Sequence, residues 1–220
     1  MAGLLSNKYR DHEPVWHVQA AMLGAIVLQL LLPDTFVIGS RLLLVFAEVL
    51  LLGALSYTTP KQQIFESLSR RINALALLAI AGIANTYALF TVVNNLLSSG
   101  RVNNGRQLIV AAINIYLTNI IIFGLCYWEM DGGGPGRRVK IPKHDQDFLF
   151  PQNQNEDYKH RHWQPTFADY LYVSSTNAMA FSPTDTMPLS RRAKFLMLAQ
   201  ATLSIITVAL VAARAVNILN

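Results

Sequence analysis

Residues 169–188 read Asp169-Tyr170-Leu171-Tyr172-Val173-Ser174-Ser175-Thr176-Asn177-Ala178-Met179-Ala180-Phe181-Ser182-Pro183-Thr184-Asp185-Thr186-Met187-Pro188, and they stand just before the last long apolar segment of the chain. The apolar part, Thr166–Phe181, is about 16 residues long and would make a helix of about 24 Å, short of the roughly 30 Å hydrocarbon core of a bilayer. Ser182-Pro183-Thr184-Asp185 then stops it. A segment of that length, ended by turn residues and followed by a full-length apolar run, is expected to enter a membrane part-way and return. Irregular backbone is tolerated at that depth only beside protein or a water-filled cavity. Residues 176–185 are therefore expected next to a cavity or a subunit interface. An amphipathic helix lying on the membrane surface has the same periodicity and is the competing reading.

The composition fits a membrane protein. Of 220 residues 52% are hydrophobic and only 14% charged, with a mean hydropathy of +0.31, where soluble domains carry about 25% charged residues. Five apolar segments are candidates for helical spans: Val15–Leu32, Phe36–Tyr57, Ile72–Val93, Leu108–Trp128 and Phe195–Leu219. The first is the weakest, with His17, Gln19 and Gln29 inside it. The expected fold is all-α: an integral membrane helical bundle of about five spans plus a re-entrant half helix between the last two. Residues 1–106 form an N-terminal three-helix region. Residues 107–220 form a hairpin of outer helix 107–130, long hydrophilic loop 131–165, re-entrant loop 166–188 and inner helix 191–219. No helical or strand period holds across the long loop, which opens on Gly132-Gly133-Gly134-Pro135-Gly136 and suggests a functional or disordered connection.

The in-register pattern favours the re-entrant reading. Asp169, Leu171, Tyr172, Ser174, Asp185 and Pro188 resemble the D-x-L-Y-x-S pore helix and the D-x-x-P exit of the potassium-channel superfamily, and Pro188-Leu189-Ser190-Arg191-Arg192 resembles the start of its inner helix. The resemblance covers residues 107–220. It implies a homo-oligomer, most simply a tetramer, that passes monovalent cations through a multi-pass channel in the plasma membrane. The C-terminal stretch also resembles small bacterial membrane-protein families, which implies a bacterial inner membrane. The five filter positions hold Ala180, Phe181, Ser182, Pro183 and Thr184, so both family glycines are missing. A stack of inward carbonyls needs backbone conformations that suit glycine. Thr176, Asn177, Ser182, Thr184 and Asp185 instead offer side-chain oxygens, and several copies of Asp185 would make an acidic ring. Asp185 and Thr184 bracing the turn beside proline is the simpler alternative.

Charge asymmetry pulls the other way on orientation. With five spans, all the basic residues except Arg41, Arg101, Arg106 and Arg214 fall on one side, which the positive-inside rule makes cytoplasmic. That side holds the long loop, whereas a potassium-type pore loop enters from outside. The basic residues cluster at segment ends, so the net charge of +5 signals lipid headgroups and topology rather than nucleic acid. Met1–Pro14 is polar, and no cleaved signal peptide is expected.

Other residues carry possible chemistry. Glu48 lies mid-segment with Arg41 seven residues earlier on the same helical face, and an ionisable group inside a membrane marks an ion path, a proton relay or an ion pair. Asn73, Asn85, Asn114 and Asn119 suit interhelical hydrogen bonds. His144, His160 and His162 are a weak metal signal beside the solvated-loop reading. Cys126 reads as a small buried hydrophobe, and Trp16, Trp128 and Trp163 as interfacial anchors. No nucleophile elbow, phosphate loop or HExxH helix is present, so neither an enzyme nor a cofactor is expected. Two further functions remain open: a non-conducting scaffold that holds partners, and a small proton-coupled transporter centred on Glu48.

Overall fold

The computed structural model describes residues 16–58, 68–97, 105–154, 163–180 and 185–219. They are almost entirely helical. Helix α1 spans Trp16–Leu30, α2 Arg41–Thr58, α3 Leu68–Leu97 and α4 Gly105–Met130. Two single-turn helices follow, α5 (Pro135–Arg138) and α6 (Pro151–Gln154), then α7 (Phe167–Ala180) and α8 (Arg191–Leu219). Among the described residues, α3, α4 and α8 are long and apolar enough to cross a membrane. At 15 residues, α1 reaches only about 22 Å.

The fold is organised around α4. It packs on α1, α3, α7 and α8, and 61% of its most apolar stretch is buried, against 44% for α3 and 22% for α8. A helix that is apolar on every side belongs in the middle of a bundle. Ala111 and Ala112, both fully buried, leave room for neighbours near its start. Further along, Gly124 has no side chain where α7 crosses. A Cβ there would lie 3.2 Å from the Leu171 Cα and 3.3 Å from its Cδ1.

The α1–α2 connection is as tight as Pro33-Asp34 implies: one 3-10 turn over Asp34–Phe36, then α2 from Arg41. Arg41 is tied back to the turn by Asp34 at 2.8 Å and by a hydrogen bond to the Leu32 carbonyl.

The long hydrophilic loop departs from expectation. Its residues 131–154 form defined structure rather than an unpatterned connection. Gly132, Gly133 and Gly134 all take positive φ (60°, 87° and 112°), which lets the chain reverse off the end of α4 where other residues would be strained. Phe148-Leu149 (β1) then pairs antiparallel with Met187-Pro188 (β2), Phe148 opposite Pro188 and Leu149 opposite Met187, and the Leu189 N–H donates to the Asp147 carbonyl at 2.8 Å. Period counting misses this segment because it is held by tertiary contacts, not by a repeat. Trp128 is also not an interfacial anchor: it is 3% exposed inside the core that Tyr127, Phe148, Phe150 and Tyr170 share.

Gly124→Val should push α7 off α4. An overpacking cost of about 1–3 kcal/mol is expected, read as a lower thermal midpoint in detergent than Gly82→Val, whose site has ordinary clearance at 3.9 Å from Ile122.

Candidate functional site

The helical half of the resemblance motif lies on α7, and three of its framework residues, Asp169, Leu171 and Ser174, have a structural task. Asp169 caps the helix: its Oδ2 accepts the Thr166 backbone N–H at 2.7 Å and the Thr166 hydroxyl at 2.8 Å, which fixes the helix start. Leu171 fills the space that Gly124 leaves. Tyr172 is exposed. Ser174 donates from its hydroxyl to the Ile120 carbonyl of α4 at 2.7 Å. Ser190, two residues beyond Pro188, caps α8 by accepting the Ala193 N–H at 3.1 Å.

A buried polar network joins α4, α7 and α8. At its centre is Gln200 of α8, 0% exposed. Its amide nitrogen donates to the Ser174 hydroxyl at 2.6 Å and to the Ser174 carbonyl at 2.9 Å. Its amide oxygen accepts the Tyr127 hydroxyl at 2.5 Å and the Asn177 amide at 2.8 Å. Asn177 also donates to the Met197 carbonyl at 3.0 Å. One turn along α8, Ser204 accepts from Asn119 of α4 at 3.0 Å. Each of these groups is withdrawn from solvent, so the bonds are made within one chain rather than offered to a pore. Gln200, Ser204 and Thr207 recur on one face of α8, all buried. That spacing was visible in the sequence as a polar stripe within an apolar segment.

Below the network, an ionic clasp ties the loop to both ends of the hairpin. Asp131 is fully buried. It accepts the Tyr170 hydroxyl of α7, the Asp147 N–H at 2.6 Å and the Phe148 N–H at 3.3 Å. Asp147 accepts the Gly132 N–H at 3.0 Å and a two-pronged contact from Arg192 of α8 at 2.6 and 2.7 Å. Burial alone would raise the Asp147 carboxyl, but the hydrogen bonds from Arg192, Ser190 and the Gly132 N–H outweigh it and hold the group below the usual carboxylate range. Arg138 donates to the Trp128 carbonyl at 2.8 Å and lies over the Tyr170 ring, 4.9 Å from its centre. Arg70 joins the start of α3 to the end of α4 through Glu129 at 2.7 Å, both side chains buried. Asp131, Arg138 and Asp147 did not stand out in the sequence, because charges in a hydrophilic loop read as solvated.

The sequence-predicted site residues fare differently. Asn177 is 3% exposed and its amide is committed to Gln200 and Met197 within the protomer. Thr176 turns its hydroxyl onto its own helix, to the Tyr172 and Val173 carbonyls. Asp185 is exposed. Ala180 ends α7, while Phe181, Ser182, Pro183 and Thr184 lie outside the described residues. Arg41 pairs with Asp34, and Glu48 faces Gln29 of α1, so these two charges do not pair along their helical face. Asn85 donates to the Ile115 carbonyl at 3.3 Å as an interhelical bond, whereas the Asn114 amide nitrogen finds no partner among the described residues. Cys126 is partly buried. Of the histidines, His144 is exposed beside Asp145, and His160 and His162 lie outside the described residues. No group of metal-ligating side chains occurs among the described residues.

No family model, curated protein or solved structure matches the chain. None of these comparisons supports the resemblance to potassium channels.

Replacing Gln200 by Leu strands the Tyr127 hydroxyl and part of the Asn177 amide, at an expected cost of about 2–3 kcal/mol, and hydrogen exchange should accelerate in α7 and α8 together. Because the folded Asp147 sits below its unfolded value of about 3.9, its contribution is complete above that pH and is lost as the pH falls through the folded value. Unfolding midpoints followed from about pH 6 to pH 3 should therefore drop less steeply in Asp147→Asn than in the native chain.

Proposed function

We propose that the chain is a multi-pass protein of about five spans in a bacterial inner membrane. On this reading several copies, most simply four, assemble around the α4–α7–α8 hairpin and pass monovalent cations along the axis between them. The observation that carries it is α7. Its 14 residues make a helix of about 21 Å, too short to span, and it is packed between two helices of membrane length. Two framework residues of the pore-loop resemblance, Leu171 and Ser174, contribute to that packing on the α4 side. The least covered spanning helix is α8, with Phe195, Leu198 and Ile205 on its outer face, which suits contact with neighbouring copies or with lipid. Cation attraction falls to an acidic ring of Asp185, and selectivity differs from that of a glycine filter.

A non-conducting membrane module is the second reading, and one observation favours it. Three polar side chains of α8, Gln200, Ser204 and Thr207, are turned into the protomer and buried, and the exposed Thr202 bonds its hydroxyl to its own helix at the Leu198 carbonyl. That leaves an apolar face where a conducting axis would want polar groups.

Purified oligomer in liposomes separates the two. The first reading expects potassium or sodium flux, reduced several-fold by Asp185→Asn while assembly is unchanged. A well-ordered oligomer that passes no monovalent cation would establish the second.

A further inference from the structure

Glu48 is the buried acid that the hairpin does not use. It stands in the middle of α2, and none of its surface reaches solvent (0% exposed). Its partner is Gln29 of α1, itself 3% exposed. In the orientation that satisfies both ends of the amide, the Gln29 nitrogen donates to both carboxyl oxygens at 3.0 Å. An amide brings a hydrogen bond but no countercharge.

The charged groups on the surrounding elements are distant or already engaged. Arg41 lies seven residues back on α2, about 10 Å along the axis, and its guanidinium is held by Asp34 at 2.8 Å and by the Leu32 carbonyl. His17 of α1 is twelve residues before Gln29, about 18 Å along that helix. On α3, which packs against α2, Ala84 and Ala88 share a small cleft with Gln29 and Arg41. The arginines of α3, Arg70 and Arg71, lie in its first turn, about 20 Å further along, and Arg70 is bound to Glu129 at 2.7 Å. An ionised carboxylate with no counter-ion in an apolar bundle is strongly disfavoured, and a carboxyl escapes the penalty by taking up a proton.

We propose that Glu48 and Gln29 form a proton-binding site inside the α1–α2 hairpin, with Glu48 a carboxylic acid at neutral pH and Gln29 the donor that makes its ionised form accessible. Gln29 both lines the small cleft it shares with Arg41 and touches the acid, so it stands between that cleft and Glu48. The ligand is a proton. The site is separate from the α4–α7–α8 hairpin and does not depend on whether that hairpin conducts.

Infrared spectra of the full chain in lipid bilayers, taken from about pH 5 to pH 10, test this. The carbonyl band of a protonated carboxyl should be present at neutral pH, fall on alkalinisation as a one-proton titration, and be missing from Glu48→Gln. Gln29→Leu removes the donor that favours the ionised form, so the midpoint should rise by about 1–2 pH units. That variant reads the site even where Glu48→Gln does not fold. A neutral-pH carboxyl band that Glu48→Gln leaves untouched would overturn the proposal, as would a midpoint that Gln29→Leu fails to move.

Discussion

A glutamine in the middle of a membrane-length helix has four hydrogen-bonding positions to satisfy and no water beside it. Gln200 meets that demand by reaching Ser174 and Asn177 on α7 and Tyr127 on α4. Apolar surfaces alone would let two helices slide or rotate against each other in lipid, where tails compete equally for apolar contact. The Gln200 network removes that freedom, because a one-residue slip would leave several buried polar groups without partners. The short helix α7 is thereby held at one register and one rotation against α4 and α8, and the short strand pair and the clasp below it can form.

The clasp extends the same logic to charge. Asp131 and Asp147 are both buried, and their oxygens are filled by Tyr170, by backbone N–H groups and by Arg192. A buried ion pair is not a large net source of stability, since desolvation consumes most of the attraction. Breaking one partner is costly, however, and that asymmetry ties the end of α4, the loop and the start of α8 into one arrangement. Glu48 follows a different rule. It has an amide opposite it where the clasp acids have arginine or several N–H donors, and a proton is the cheapest way for it to be buried. The two solutions within one chain separate a structural set of acids from one that is poised to exchange.

Much of the fold was legible in the sequence. The five apolar segments correspond to α1, α2, α3, α4 and α8, with ends shifted by a few residues, because an apolar run bounded by Pro, Gly and polar residues admits few alternatives to a helix. The short helix α7 was legible as well, from the length of its apolar run. The motif residues were less so. Asp169 and Ser174 matter as a cap and as an α4 contact, and Asn177 looks inward to Gln200. Spacing shows which residues share a face of a helix and does not show which neighbour that face meets.

By itself the sequence determined the helices, their approximate lengths and the break before the last one, since each follows from local composition and the bilayer's thickness. Tertiary structure decided the rest. It made α4 the centre and drew the hydrophilic loop into a folded clasp. It paired Arg41 with Asp34 instead of Glu48, and it left Glu48 facing an amide. These outcomes depend on residues far apart in the chain, such as Asp147 and Arg192 or Ser174 and Gln200. The energy that selects them, the cost of an unsatisfied buried polar group, exists only once the helices have packed.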